Sequence, residues 1–303
     1  MIEFKRMSLN QKAEYEKILF EAEPRGCEYS FANLCLWGKQ QVAFVHDCVV
    51  FFSHFYGRSV YTYPIGSGDK KAVIEAILQD ARKRGIPCRI TGMTDADREE
   101  LESLFPEKFI LRSDRDGADY VYDIDDLADL KGRKFQKKRN HVNKFRSQHP
   151  DFQVMEITPC NMAQVQYMVN EWYRVRMKED PEGDYLLENI AMARACQNYA
   201  ALGMEGIALV DNGQVLAMTM GSRMGKDTFD IHFEKALENM EGAYAAVNCE
   251  FARFLRLKYP EVKYLDREDD LGLEGLRKAK LSYNPHHLLG KHRAYLSEDL
   301  NEA

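Results

Sequence analysis

No stretch of this 303-residue chain is both long and apolar. A membrane span needs about 20 consecutive apolar residues, and the densest apolar stretch, Val42 to Phe55, is broken by His46, Asp47, Ser53 and His54. The first residues also lack the charged-then-apolar pattern of a secretory signal. Met1 to Lys17 therefore reads as a polar strand–helix start, and a cytoplasmic location is expected. Cys-x-x-Cys pairs are missing too. The seven cysteines (27, 35, 48, 88, 160, 196 and 249) are scattered, mostly within apolar segments. This excludes a disulfide scaffold and points to reduced thiols packed as small hydrophobes. Basic residues do not predominate: 42 against 48 acidic ones gives a net charge of −6, which argues against a general nucleic-acid coat protein. What is present is ordinary for a globular protein, 45% hydrophobic and 30% charged residues. At roughly 100–200 residues per domain the length favours two domains.

The order of elements points to a mixed α/β (α+β) fold. Ser30 to Trp37 reads as a short helix, and Val42–His46 and Cys48–His54 as successive strands rich in β-branched and aromatic residues. Asp69 caps a helix whose Val73, Ile74, Ile77, Leu78 and Ala81 recur at helical spacing and which Gly85 stops. Phe109–Leu111 and Tyr120–Ile124 read as two further strands. The second half runs through a strand at Phe152–Ile157, helices near Asn161–Lys178 and Tyr185–Ala201, and a hairpin turning at Asp211-Asn212-Gly213. A strand at Thr228–Phe233, a helix opened by Gly242, a strand at Val262–Leu265, a helix at Leu273–Tyr283 and an extended segment at His287–Leu296 complete it. This is the element order of an acetyltransferase-type domain. Two such GNAT-like (acyl-CoA N-acyltransferase-type) domains in tandem are expected, over 1–126 and 149–303, joined by a basic helix over 127–148.

That helix is the most unusual segment. From Lys131 to Arg146 it carries eight cations (Lys131, Arg133, Lys134, Lys137, Lys138, Arg139, Lys144 and Arg146) and no acid. Phe135, Val142 and Phe145 form one stripe by which it can dock. Like charges repel, so a purely structural linker would intersperse acids, and an anionic ligand is expected. Charge alone leaves open RNA phosphate, a nucleotide-linked precursor or a phospholipid headgroup. Arg133, Lys134, Lys137, Lys138, Arg139 and Asn140 are its candidate binding residues.

Three further motifs carry candidate chemistry. Asp266-Arg267-Glu268-Asp269-Asp270 ends a strand and runs through Arg277 to Lys280 in a helix, the place where open α/β sheets commonly put their sites. Arg267, Asp269, Asp270 and Arg277 are candidate substrate ligands there; a plain helix cap is the competing reading. In the strand Asp230-Ile231-His232-Phe233-Glu234, alternation puts Asp230, His232 and Glu234 on one face, a possible source of a general base. No second histidine lies close, so no metal is expected. The loop Glu238–Tyr244 stands where acetyltransferase folds cradle the coenzyme A pyrophosphate. Only Gly242 fits that pattern, Tyr244 occupies its last place, and Glu238 and Glu241 would repel the diphosphate.

The run from Leu130 to Phe145, Asp266 to Gly272 and Gly275 to Lys280, with Tyr29–Leu34 and Tyr61–Gly66, resembles the phosphatidylglycerol lysyltransferase C-terminal-like family over nearly the whole chain. The architecture is also similar to the peptidoglycan-bridge aminoacyltransferases. The resemblance implies movement of an amino acid from aminoacyl-tRNA onto a lipid glycerol or a peptide amine. It implies an essential lysine at Lys280, followed by Tyr283 and Pro285, and an aspartate at Asp230; Phe233 stands where those transferases carry an arginine. An acyl- or aminoacyltransferase is therefore expected, with aminoacyl-tRNA preferred as donor and no certain cofactor. A small-molecule, peptide or lipid acceptor is expected, the last reached by peripheral membrane contact. The alternatives are an acyl-CoA-dependent N-acyltransferase and a non-catalytic RNA- or nucleotide-binding module.

Overall fold

The structure, a computed structural model, describes residues 1–38, 40–55, 58–181 and 185–300. The chain divides into two compact units. The first comprises 1–119, 269–272 and 288–303, and the second 120–268 and 273–287.

The first unit contains β1 (Lys5–Arg6), α1 (Lys12–Ala22), α2 (Phe31–Trp37), β2 (Gln40–Val45), β3 (Cys48–Phe55), β4 (Arg58–Thr62), β5 (Ile65–Gly66), α3 (Lys70–Arg84), β6 (Arg89–Met93), α4 (Asp95–Leu104) and most of β7 (Phe109–Asp123). The α3 boundaries follow from local chemistry. The Asp69 carboxylate accepts from Ala72 N at 3.1 Å, and Gly85 adopts a φ of +67° at the other end. The apolar stripe of α3, Val73, Ile74, Ile77, Leu78 and Ala81, is buried against Tyr61, Tyr63 and Ile90. Burying each such aliphatic side chain contributes roughly 1.5–3 kcal/mol. A cluster of buried charge lies in the same unit. Lys291 Nζ is 2.7 Å from Glu28 Oε2 and 2.8 Å from Asp119 Oδ1, and Asp119 also accepts from Cys27 N at 2.9 Å. Burial pushes the Glu28 carboxyl up to about 7, against the pull of Lys291.

The second unit contains α5 (Ile124–Asp129), α6 (Gln136–Gln148), β8 (Gln153–Glu156), α7 (Met162–Glu179), α8 (Tyr185–Gln197), α9 (Tyr199–Leu202), β9 (Met204–Asp211), β10 (Gln214–Arg223), β11 (Thr228–Ala236), α10 (Ala243–Lys258), β12 (Tyr264–Asp266) and α11 (Glu274–Leu281). Its strand order is β7-β12-β11-β10-β9-β8. The β9–β10 turn is the expected hairpin, with Asn212 at φ +49° and Gly213 at φ +77°. Phe229 and Ile231 of β11 pack with Ala246, Val247 and Phe251 of α10 in the core.

Three expectations change. The two short strands at 109–111 and 120–124 are one strand, β7. Its polar middle continues the ladder because Asp114 accepts from Arg293 Nε at 2.7 Å, on β13 (His287–Leu296), so a charged pair replaces the apolar pattern. The helix expected to 201 stops at Gln197 and restarts after Asn198. The boundary at 126 and the assignment of 149–303 to one domain are also corrected. The units part at 119/120, the basic helix lies inside the second unit, and the end of the chain returns to the first. There β13 pairs with β6, and α12 (Ser297–Leu300) follows. The mixed α/β class is as expected. All seven cysteines are free.

Candidate active site

The site in the second unit is built where β12 stops and its parallel neighbour continues. Asp266, the last residue of β12, lies opposite Asp230, and β11 runs on through His232 and Glu234. The two residues after β12 reach across to those side chains. Glu268 adopts a left-handed φ of +59°, its N–H bonded to Asp266 Oδ1 at 2.8 Å, and its carboxylate meets His232 Nδ1 at 3.1 Å. Asp230 Oδ2 lies 3.5 Å from the same nitrogen, and Ser222 Oγ lies 2.9 Å from Nε2. The imidazole is thus buried and held at both nitrogens, with two carboxylates on one side. Such an arrangement can orient a general base. Asp230, His232 and Glu268 also place one ligand atom each within 4.8 Å of one another, a donor set suited to a cation.

Glu234 belongs to a second group, so the single polar stripe expected from alternation is corrected. Its Oε1 accepts from Arg267 Nη2 at 2.9 Å and its Oε2 from Asn248 Nδ2 at 3.2 Å. Strand alternation gives the direction of a side chain but not its partner, and Arg267 draws Glu234 away from His232. The Arg267 guanidinium lies 4.6 Å from the centroid of Tyr283 and 5.5 Å from that of Tyr122. Burial is the largest single influence and opposes its charge, yet Glu234, Tyr122 and Tyr283 together outweigh it and hold its pKa above the ordinary arginine range. Lys138 of α6 completes the group, its Nζ 3.4 Å from the Tyr283 centroid. Burial, then Arg267, pushes the Lys138 ammonium down to about 8.

Lys280 links the two groups. It is the one buried residue of the otherwise largely exposed α11, and its Nζ donates to the Arg267 carbonyl at 2.5 Å and the Glu268 carbonyl at 3.2 Å. The lysine expected from the motif therefore holds the backbone that aims both Arg267 and Glu268. Arg277 is half-buried on the same helix. Asp269 and Asp270 are not part of this unit. Both belong to the first unit, where Asp270 accepts from Gly272 N at 2.9 Å and faces Arg115 at 3.3 Å.

Half of the eight cations in the basic run are paired with acids, which corrects its reading as wholly bare positive charge. Lys131 pairs with Asp129 and Lys134 with Asp126, at 2.8 and 2.7 Å; Arg146 pairs with Glu250 at 2.6 Å and Lys144 with Glu241. Arg139 donates to the Leu130 and Gly132 carbonyls. Among the described residues, Arg133, Lys137 and Lys138 have no carboxylate partner; Arg133, Lys137 and Asn140 are exposed. Phe135, Val142 and Phe145 are buried, as their stripe predicts.

Gly242 has a φ of +84°, and a Cβ there would lie 2.1 Å from the His141 carbonyl oxygen. The glycine thus lets α10 start against the backbone of α6. Gly242→Ala is expected to cost about 1–3 kcal/mol or more, read as a lower urea midpoint with unchanged slope; an unchanged midpoint would show that the contact relaxes freely. Tyr244 turns to Trp172, whose Nε1 donates to the phenol oxygen at 3.2 Å. Sequence reasoning missed Lys235, buried with its Nζ 2.7 Å from Glu188 and 3.9 Å from the Trp172 centroid. It also missed Ser222, Asn248 and the role of the Glu268 side chain. Only Glu268 carried a signal, its place in the 266–270 charged run.

The model of a family described as phosphatidylglycerol lysyltransferase, C-terminal, matches residues 20–295. A conserved protein of unknown function from Bacteroides thetaiotaomicron is 39% identical, with a TM-score of 0.92 over 98% of this chain and 100% of that one. The structure of L-PGS from Bacillus licheniformis shares the fold at 14% identity, with a TM-score of 0.66 over 94% of this chain and 91% of that one. An uncharacterized protein of Mycoplasmoides gallisepticum is 24% identical over 205 residues, 67% of this chain; the match spans 63% of that protein's length. Among the described residues no helix is long and apolar enough to cross a membrane.

Proposed function

The chain belongs to the phosphatidylglycerol lysyltransferase C-terminal family, and from that premise we propose that it moves an aminoacyl group from aminoacyl-tRNA to a hydroxyl or amine acceptor. The observation that carries the reading is the convergence, within one unit, of Lys280, Arg267, Glu268, Asp230 and His232 on the end of β12. Aminoacyl transfer needs a base for the attacking group and positive charge near the oxygen that becomes anionic. His232, backed by Glu268 and Asp230, supplies the base; Lys280 supplies the charge. The acceptor is a small molecule, a peptide or a lipid presented at a membrane surface.

An acyl-coenzyme A donor is the second reading. Against it stands the start of α10, where a pyrophosphate would have to bind. The α6 backbone closes on Gly242 there, and Glu241 and Glu238 pair with Lys144 and Arg176. A third reading, RNA binding without catalysis, keeps the same surface and drops the chemistry.

The binding step is tested by titrating tRNA at several salt concentrations. The Arg133→Glu/Lys137→Glu double variant should bind more weakly and flatten the slope of log affinity against log salt by about 2. An unchanged slope would remove α6 from the RNA-binding surface.

A further inference from the structure

Around the Tyr283 ring the second unit gathers polar groups that its own contacts leave incomplete. Lys138 and Arg267 both lie over this one ring, and among the described residues Glu234 is the sole carboxylate paired with either, so the group carries one excess positive charge. Arg267 Nη1 and Asn248 Oδ1 are buried and have no hydrogen-bond partner among the described residues. Each belongs to a side chain that gives another nitrogen to Glu234, Arg267 Nη2 to Oε1 and Asn248 Nδ2 to Oε2, and Arg267 also bonds the Tyr283 side chain. Leaving a buried donor and a buried acceptor unmade is unfavourable for folding, and a ligand that completes both would account for the pair. An oxyanion completes Arg267 Nη1 and Lys138, and a neighbouring hydroxyl completes Asn248 Oδ1. Arg133 and Lys137, exposed and without acid partners, extend the positive charge along the segment that carries Lys138. A row of charges suits a chain of phosphates better than a single free one.

We propose that Lys138, Arg267 and Asn248 form a ribose-phosphate subsite, in which the two cations hold a phosphodiester of the donor RNA and the Asn248 carboxamide oxygen accepts from the adjacent 2′-hydroxyl. This rests on the aminoacyl-tRNA reading and specifies where that donor is gripped. The 2′-hydroxyl is the group that separates RNA from DNA, so Asn248 confers the discrimination while Lys138 and Arg267 confer affinity. Lys138 is faced by Arg267 from the β12 loop, Glu234 from β11 and Tyr283 after α11. With its pKa near 8, it loses its proton and its hold on phosphate as pH rises through that value.

The test compares a short single-stranded RNA with DNA of the same sequence, each titrated against the full chain below and above pH 8. RNA is expected to bind about fivefold more tightly than DNA, the worth of one hydrogen bond, and both should weaken as pH rises through 8. Lys138→Arg, whose guanidinium does not titrate there, should abolish the pH dependence and keep the affinity. Lys138→Gln should lower affinity for both strands and also remove the pH dependence. Equal binding of RNA and DNA overturns the subsite, as does a Lys138→Gln variant that binds like wild type. The outcome separates from that of the donor reading. If wild type and Lys138→Gln draw label from aminoacyl-tRNA equally well at limiting RNA, the function stands and the subsite falls. If wild type neither binds RNA nor uses aminoacyl-tRNA, both fall.

Discussion

Lys280→Ala is expected to bring transfer to background and to lower stability by about 1–3 kcal/mol. The stability loss follows from the Arg267 and Glu268 carbonyls, which lose the ammonium that satisfies them. The activity loss has two sources. Positive charge is removed from the site, where deleting a single oxyanion donor typically costs 10²–10³ in rate. The loop that aims Arg267 at Glu234 and Glu268 at His232 is also released, and misplacement of about an ångström can cost a further hundredfold. Lys280→Arg should not rescue, because a planar guanidinium cannot reproduce a compact ammonium on two converging carbonyls. The check is the transfer rate at a temperature where thermal melting shows each variant folded. A Lys280→Ala enzyme that melts lower yet turns over normally would reduce the lysine to a structural prop.

Lys291→Met should have the largest effect on stability, about 3–5 kcal/mol. It leaves Asp119 and Glu28 buried without the cation between them, and breaking a buried pair from one side costs that much. Asp119→Asn added to Lys291→Met should recover part of the loss, since it removes one stranded charge. The pH profile provides a second signature. Burial raises Glu28 from 4.5 to about 7, so the folded state keeps a proton that the unfolded chain releases. The contribution is complete below pH 4.5 and is lost as pH rises through 7. Urea unfolding of wild type and Glu28→Gln across that window checks the sign. Wild type should weaken towards neutrality and Glu28→Gln should not; parallel profiles would mean that Glu28 is ionised throughout.

What could be read from the sequence divides by distance along the chain. The α3 caps at Asp69 and Gly85, the Asn212-Gly213 turn and the buried stripe of α6 are set by residues within a few positions of one another, and each is found where expected. The charge of the basic run was legible only in part, because two of its four neutralising acids, Glu241 and Glu250, are remote. Glu250, which pairs with Arg146, lies 104 residues on. The buried Lys291–Asp119 pair spans 172 positions and has no local signature at all. At the candidate site, the residue types and the strand-end location were legible in Asp230, His232, Arg267 and Lys280. Their partners were not, because β11 and β12 become neighbours only through the parallel pairing that folding creates. Asp269 and Asp270 show the converse: adjacent in sequence to Glu268, they belong to a different unit.

The decisive measurement follows a labelled amino acid. Charged tRNA carrying it is incubated with the protein and with mixed lipid, amine and peptide acceptors, beside a parallel reaction supplied with labelled acetyl-coenzyme A. Aminoacyl transfer predicts that label leaves the RNA and appears covalently on one acceptor with wild type and not with Lys280→Ala, while acetyl-coenzyme A is untouched. Label that stays on the RNA with wild type, or acetyl-coenzyme A consumed in its place, would contradict it.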